Sequence, residues 1–365
     1  MDLLYTLALT KIKGVGLATA RNLLSHFGSA ETLFLAPRAE LESIRGIGPQ
    51  LAAAIHRSTI LAEAEAELRY LEQHGIQALH YEASNYPERL KNCPDAPLLL
   101  YYRGTANLNS PRIVSIVGTR KCTAYGKHLC AGFINGLAPY QVLVISGLAH
   151  GIDSHAHRAA LTEKLPTVAV MGHGLDRVYP LGNTELAKQM VENGGLLSEY
   201  PIGTPPEKHH FPMRNRIIAG LADVTVVVEA AIRGGALITA ELANGYNRDV
   251  CAFPGNIGQD ASAGCNHLIK TNRAHLISSA KDLAYLMNWT IEQTPKTAQR
   301  PAVTLSDTAQ QLYDTISLLG RTDMDTITSR LLWPQGTLAA ALLELEIKGM
   351  IQALPGKTFQ IFQSN

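Results

Sequence analysis

The chain has 365 residues, of which 46% are hydrophobic and 17% are charged, and its 32 basic side chains nearly balance its 31 acidic ones. This composition excludes a disordered chain, because so many apolar residues with so little charge can bury a large core. It also excludes a polycation that binds nucleic acid by net charge alone. At about 150 residues per domain, the length predicts two or three domains.

Basic residues and histidines are concentrated in the middle of the chain. Residues 107–290 hold 16 basic and 13 acidic side chains, with 9 of the 13 histidines. Residues 1–106 hold 10 basic and 11 acidic side chains, and residues 301–365 hold 4 and 6. An anionic partner, if there is one, is therefore expected to bind the middle segment.

The five cysteines are an odd number, and no two are spaced as C-x-x-C. This spacing disfavours a disulfide framework and a structural zinc site, and it favours the reducing cytoplasm. The N-terminus, MDLLYTLALTKIKG, has no basic region ahead of its apolar stretch, which favours a first helix over a signal peptide. No apolar run approaches the roughly 18 residues that span a bilayer, so we expect no membrane partner.

Residues 1–75 are predicted to be helical and to contain a weak repeat. Residues 13–16 (KGVG) and 45–48 (RGIG) each place a basic residue and two glycines before an amphipathic stretch. The pattern is similar to the helix-hairpin-helix motif, in which a tight glycine turn directs N–H groups at a phosphate. A plain helical packing unit with glycine caps is the alternative, and the acidic run 63–67 weighs against phosphate binding.

Residues 76–111 contain four prolines and are predicted to be a connector with one strand. The strongest periodic signal follows in residues 112–290, where short apolar runs alternate with helical stretches. The runs are 113–118, 142–147, 167–172, 195–200, 224–230, 250–255 and 275–279. Continuous apolar strands between helices predict a doubly wound, mostly parallel α/β sheet, whose ligands bind beyond the carboxyl ends of the strands.

The last part of the chain is predicted to be a polar linker (291–304) followed by a small domain (305–365). Three helices and then two short strands are the order of a winged helix. Its third helix offers few side chains suited to the major groove, and the carboxylates of Glu344 and Glu346 would repel the phosphates of a duplex. A protein contact is therefore favoured over duplex reading, although both remain open.

Four turns that follow the predicted strands are candidates for the functional site. In the first turn, Gly118 and Thr119 precede Arg120 and Lys121 at the start of a helix, an arrangement suited to an anion. A structural glycine turn is the alternative. The turn does not read G-x-G-x-x-G, so a dinucleotide cofactor is not expected.

The second turn contains Ser146, Gly147, Gly151 and Asp153 between a strand and a helix. It lacks the G-x-S-x-G pattern of a nucleophile elbow. Asp153, His155 and His157 are spaced so that only the first and last share a helix face, and no metal site is expected. Asp153 is favoured as a residue of the helix N-terminus, and the four candidates are assigned to the anion or loop pocket.

The third turn, 207–220, is predicted to be a loop with cations and an aromatic residue. Its candidate residues are Lys208, Phe211, Arg214, Asn215 and Arg216. Single-stranded nucleic acid is bound by this combination, because cations follow its phosphates and a ring stacks on a base. The alternative is that the two arginines brace the sheet through Glu199 or Glu229. In the fourth turn, Gly234 and Gly235 open a helix and form either an anion nest or a tight turn.

Together these turns resemble the DNA-processing protein A family, also called DprA or Smf. The matching pieces are IVGTR (116–120), SGLAHGIDSHAHRAAL (146–161), VMGHGLDRVYP (170–180), GGLLSEYP (194–201), FPMRNRIIAGLADVTVVVEA (211–230), ALITAELA (236–243), FPGNI (253–257) and GCNHLI (264–269). The resemblance implies an extended Rossmann-like core with no catalytic activity and no cofactor. It implies a homodimer that binds single-stranded DNA and helps to load the RecA recombinase in natural transformation.

Carried over by motif, Arg120 and Lys208 would contact the DNA backbone, Phe211 would stack on a base, and residues 214–216 would line or brace the same pocket. The chain departs from the family at residues 234–236, where Gly-Gly-Ala replaces the usual Ser-Gly-Ser, and at Arg273-Ala274, where Gly-Ala is usual. The first departure removes both hydroxyl groups and so weakens the prediction that a nucleotide is hydrogen-bonded there. The second predicts an added positive charge near the pocket.

A second interpretation is an enzyme that acts on nucleotides. Residues 233–241 loosely resemble the P-G-G-x-G-T-x-x-E motif of phosphoribohydrolases, in which Glu241 would be the acid or base. The residues before the motif do not match, and no second catalytic group is evident.

Overall fold

The computed structural model describes residues 2–291, 305–348, 350–354 and 357–361. The chain divides into two compact units, residues 1–291 and 292–365. Apart from residue 291, the predicted linker lies outside the described residues. Within the described ranges, no helix is both long enough and apolar enough to cross a membrane.

Six helices begin the first unit. They are α1 (Asp2–Lys11), α2 (Leu17–Phe27), α3 (Ala30–Leu35), α4 (Arg38–Ser43), α5 (Pro49–Ile55) and α6 (Ser58–Gln73). The repeated turns depend on glycine, because Gly14 and Gly46 have φ angles of +96° and +92°. Each turn is followed by a second glycine at the N-cap of the next helix, Gly16 before α2 and Gly48 before α5.

These helices pack directly on the sheet that follows. One hydrophobic core joins Leu7 and Leu23 of the helices to Tyr101, Ala169 and Leu196 of the sheet. A polar link lies beside it. The Lys11 Nζ atom is 2.5 Å from the Glu67 carboxylate, which also accepts a 3.1 Å hydrogen bond from the backbone N–H of Ile202.

The sheet of the first unit has nine strands. They are β1 (Gln77–His80), β2 (Leu99–Gly104), β3 (Ile113–Val117), β4 (Leu143–Ser146), β5 (Thr167–Met171), β6 (Gly194–Ser198), β7 (Val224–Val227), β8 (Asp249–Ala252) and β9 (His275–Leu276). Their order in the sheet is β1-β2-β6-β5-β4-β3-β7-β8-β9. Strand β2 is antiparallel to β1 and to β6, and all pairs from β6 to β9 are parallel.

The connector was predicted to contain one strand, but it contributes two, β1 and β2. The prediction gave weight to the prolines of the whole segment, which begin only at Pro87. Residues 77–80 precede them, so the backbone N–H groups of β1 remain free to pair with β2.

Helices cover both faces of the sheet. They are α7 (Glu88–Lys91), α8 (Ala124–Leu137), α9 (Ile152–Thr162), α10 (Thr184–Glu192), α11 (His210–Leu221), α12 (Gly235–Gly245), α13 (Asp260–Lys270) and α14 (Ala280–Leu286). Strand β3 alternates between two cores: Ile113 and Val117 pack in one, and Val114 and Ile116 pack in the other. This alternation is what a strand buried on both faces requires, and the predicted doubly wound, mostly parallel sheet is confirmed.

The order of the strands reverses at β3. From β3 the chain builds β4, β5 and β6 outward on one side, and it then returns to place β7 on the other side of β3. The connections that leave β3 and β7 therefore diverge, and a crevice opens between them at the carboxyl ends of the strands.

The second unit has three helices and a small sheet. Its elements are α15 (Asp307–Leu319), β10 (Thr322–Asp323), α16 (Met324–Leu331), α17 (Gln335–Ile347), β11 (Ile351–Leu354) and β12 (Thr358–Ile361). The three strands pair in the order β10-β12-β11. Leu312, Ile327, Leu342 and Phe359 form part of a separate core, so this unit has its own apolar interior and the order of elements predicted for a winged helix.

Candidate functional site

A cavity of about 600 Å³ opens where β3 and β7 lie side by side. Turns after β3 and β7 and the first turns of α11 and α12 surround it. The lining includes many of the predicted site residues: Gly118, Thr119, Arg120, Asp153, Lys208, Phe211, Arg214, Asn215, Gly234 and Gly235. The structure therefore brings together side chains from all four predicted turns.

Three exposed cations, Arg120, Lys208 and Arg233, form what we call the rim of this cavity. Within the part of the chain that the structure describes, none of the three side chains has a hydrogen-bonding or carboxylate partner. The rim is therefore suited to an anionic ligand.

An aromatic ring lies among these cations. Phe211 is half-buried, and the guanidinium carbon of Arg120 is 5.8 Å from its ring centroid, within cation–π range. The Tyr179 ring lies 5.7 Å from the Phe211 ring, with 33° between their planes. The cavity thus offers aromatic surface as well as positive charge.

Two buried residues, Arg214 and Asp153, form the floor of the cavity; they are only 4% and 8% exposed. The Arg214 guanidinium donates to the carbonyl oxygen of Gly147 at 2.7 Å and to that of Val170. It thereby holds the carboxyl ends of β4 and β5 together.

Burial controls the ionisation of both floor residues. It lowers the pKa of Arg214 to about 10, while the Asp153 carboxylate opposes that shift, so the guanidinium stays protonated at neutral pH. Burial likewise raises the pKa of Asp153, and the positive charge of Arg214 opposes it. Hydrogen bonds from the backbone N–H groups of Gly147 and Ala149 also oppose the rise in the pKa of Asp153.

Three predicted residues of the anion-binding loop pocket lie outside the lining. Ser146 donates its hydroxyl to the Ile116 carbonyl at 2.6 Å in the core. A Cβ atom on Gly147 would lie 2.6 Å from the Arg214 guanidinium. Gly151 has a φ of +82°, and its Cβ would lie 2.2 Å from the Thr119 carbonyl oxygen. The structure favours packing of the loops as the role of these three residues.

The third turn is a helix rather than the predicted loop. Helix α11 begins at His210, and Pro212 is tolerated in its first turn because the N–H it lacks would have no helical partner there. Residues two positions apart on a helix face different directions. Arg214 therefore points to the cavity, whereas Arg216 does not.

Arg216 makes the bracing contacts that were the alternative for it. Its guanidinium donates to the Asp95 carbonyl at 2.5 Å and pairs with the Glu199 carboxylate, and its side chain is 11% exposed. The prediction that it contacts DNA is not supported by this position. Glu229 takes no part, because its carboxylate accepts from the N–H and hydroxyl of Thr123 at the start of α8.

The two remaining predicted residues, Lys121 and Asn215, differ in their positions relative to the cavity. Lys121 is exposed beside Arg120 but does not line the cavity. The Asn215 amide donates to the Gly235 carbonyl at 3.3 Å, and this contact joins α11 to α12 below Gly234. Asn215 therefore positions the glycine turn as well as facing the cavity.

Reasoning from the sequence missed several lining residues, among them Tyr179, Arg233, Ile238 and Thr239. Tyr179 and Arg233 follow β5 and β7, so the rule that placed the site in such turns could have found them. Ile238 and Thr239 lie inside α12, where nothing in the sequence distinguishes a cavity-facing position from a core position.

The enzymatic interpretation requires Glu241 at the cavity, and the structure places it elsewhere. Glu241 is exposed, does not line the cavity and pairs with Arg273 at 2.9 Å. The expectation that Arg273 adds charge near the pocket is therefore not supported. His157, which was considered as a metal ligand, is hydrogen-bonded to the Thr167 hydroxyl in the core at 2.7 Å. Burial lowers the pKa of His157 to about 3.

Residues 77–288 match the family model described as DNA recombination-mediator protein A. The chain belongs to this family. Residues 296–357 match the DprA winged helix domain, and residues 6–59 match a SAM-like helix-hairpin-helix tandem. The resemblance deduced from the turns and the predicted winged-helix fold are thereby confirmed.

Relatives and solved structures agree with this membership. Protein Smf of Synechocystis is 32% identical over 98% of both chains. The X-ray structure of DprA from Streptococcus pneumoniae covers 78% of this chain and 96% of its own, with a TM-score of 0.63 and 32% identity. The structure of DprA from Helicobacter pylori covers 59% of this chain and 97% of its own, with a TM-score of 0.54 and 29% identity. That structure is described as giving insight into a single-stranded DNA binding mode.

Proposed function

We propose that this chain binds single-stranded DNA in the cavity between β3 and β7 and acts as a recombination mediator without catalytic activity. One observation carries the proposal: exposed cations with no hydrogen-bonding or carboxylate partner among the described residues surround a half-buried aromatic ring in a single cavity. Arg120 and Lys208 would contact phosphates, and Phe211 would stack on an unpaired base. Lys121 would add a further cation beside Arg120.

The shape of the site favours a single strand over a duplex. Phe211 can stack only on a base whose face is exposed, and the bases of a duplex stack on one another. The Phe211 ring lies inside a cavity rather than on a protruding surface, so a base must leave its stack to reach it. The Helicobacter relative, described by its single-stranded DNA binding mode, supports the same preference.

The mediator role has consequences beyond binding. We propose that the chain, as a cytoplasmic homodimer, protects incoming single strands and helps to load RecA during natural transformation. Support for this part comes from membership of a family described as recombination mediators. It predicts that RecA filaments form faster on a strand coated by a single-stranded DNA-binding protein when this chain is added, and that Phe211→Ala reduces the acceleration.

A binding series tests the DNA proposal. The ligands are an oligothymidylate, a duplex of equal length and thymidine monophosphate, each at two salt concentrations. The oligothymidylate should bind most tightly, and log K should fall with log salt at about −0.7 per phosphate neutralised. Tighter binding of the duplex would refute the proposal, as would release of free base from a mononucleotide that disappears in Glu241→Gln.

A further inference from the structure

We infer that Tyr179 and Arg233 extend the DNA site to both ends of the cavity, so that the strand crosses the carboxyl ends of β5, β4, β3 and β7. The inference rests on the proposed function. It adds two binding residues and a path for the strand across the sheet. It also requires a ligand longer than one nucleotide.

Arg233 marks one end of this path. It lies in the turn between β7 and α12, lines the cavity and is exposed. Within the described residues it has no carboxylate or hydrogen-bonding partner, unlike Arg214 and Arg216. An arginine that braced the turn would be expected to contact a carbonyl or a carboxylate, so a ligand phosphate is the better explanation for Arg233.

Tyr179 marks the other end. It follows β5, lines the same cavity and remains 49% exposed, a high value for a large aromatic side chain. Its ring is tilted by 33° against the Phe211 ring at a centroid distance of 5.7 Å. At that distance the two rings are already in contact, so a base cannot insert between them. Tyr179 therefore offers stacking surface for a second base beside the one on Phe211.

The strands that precede Tyr179 and Arg233 are three positions apart in the sheet, and we infer from this that one nucleotide does not reach both residues. Neighbouring strands lie about 4.8 Å apart, so the three steps from β5 to β7 span roughly 14 Å. A mononucleotide carries one base and one phosphate group, and it cannot stack on Tyr179 and reach Arg233 at once. Only a chain of several nucleotides would use the whole cavity.

Affinity measured against ligand length tests this inference. Fluorescence anisotropy competition would compare thymidine monophosphate with an oligothymidylate of about ten nucleotides, inside the range of known site sizes. Arg233→Ala should weaken binding of the oligomer and make its salt slope shallower by about 0.7. Tyr179→Leu should weaken the oligomer at least about fivefold, and Tyr179→Phe should bind like the wild type. Neither Arg233→Ala nor Tyr179→Leu should change binding of the monophosphate.

Controls separate the possible outcomes. Arg103→Ala removes an exposed arginine of β2 outside the cavity and should leave both affinities unchanged. Oligomer binding unaffected by Arg233→Ala and Tyr179→Leu, or monophosphate binding weakened as much as oligomer binding, would overturn the inference. Failure of the wild type to bind the oligomer at all would instead refute the proposed function.

Discussion

Basic side chains occur in two regions of the cavity, and the regions differ in burial and in bonding. On the floor, Arg214 is buried, as is Asp153, and it donates to two backbone carbonyls. On the rim, Arg120 and Lys208 are exposed and have no such partner among the described residues. A buried arginine whose guanidinium donates to backbone carbonyls stabilises the loops, whereas exposed cations with no hydrogen-bonding or carboxylate partner in the described part of the chain are suited to bind a ligand. The contrast shows that the role of a basic side chain is indicated by its burial and its bonding partners, and not by its charge alone.

The largest effect is expected on the floor and should appear as lost stability. Arg214→Met leaves the buried carbonyls of Gly147 and Val170 without their donor, and each unsatisfied buried acceptor costs about 1–3 kcal/mol. Urea unfolding followed by the fluorescence of Trp289, in a Trp333→Phe background, would report on the first unit. Arg120→Met is the matched control on the rim and should change stability by less than about 0.5 kcal/mol. Equal unfolding midpoints for the two variants would contradict the distinction between a stabilising floor and a ligand-binding rim.

The next effect is expected at the aromatic ring among the rim cations and should appear as lost binding. Phe211→Ala should weaken binding of an oligothymidylate by about 1–3 kcal/mol, because a stacked base loses its platform. Met213→Ala is a matched control, since Met213 is 53% exposed on the same helix and does not line the cavity. Equal affinities for Phe211→Ala and the wild type would exclude Phe211 from the site.

A smaller effect is expected in the salt dependence. Arg120→Ala removes one phosphate contact and should make the slope of log K against log salt shallower by about 0.7. Titrations at four or more salt concentrations would give the slope. Lys127→Ala, an exposed lysine of α8 outside the lining, should leave it unchanged. If both variants keep the wild-type slope and affinity, Arg120 does not contact the strand.

The smallest effect is expected when the second unit is removed. All lining residues fall between Val117 and Thr239, inside the first unit. A chain that ends after residue 290 should therefore bind an oligothymidylate as the full chain does, within experimental error. Loss of binding in this chain would move the DNA site out of the cavity.

The sequence predicted the parallel sheet and the turns around the cavity, because both depend on local signals. Apolar runs mark buried strands, and the ends of parallel strands fall on one edge of a sheet. Arg120, Lys208 and Phe211 were found in this way, and they line one cavity.

The orientation of side chains could not be predicted to the same degree. Residues 207–220 contain a proline and a mixture of charges, which concealed the helix that begins at His210. Without the helix, Arg214 and Arg216 appeared equivalent. Their different partners depend on contacts with Gly147 and Glu199, which are distant in the sequence.

The hydrogen bond from Ile202 to Glu67 has a consequence for how tightly a strand can bind. Ile202 lies in the segment between β6 and α11 that carries Lys208, and Glu67 belongs to the helical layer at the start of the chain. The segment is thus preorganised by a region that contributes no residue to the cavity. Ordering a loop during association reduces affinity, and a segment ordered in advance avoids that cost. Under the proposed function, the helical layer would therefore raise the affinity for DNA indirectly, by limiting the conformational entropy lost on association.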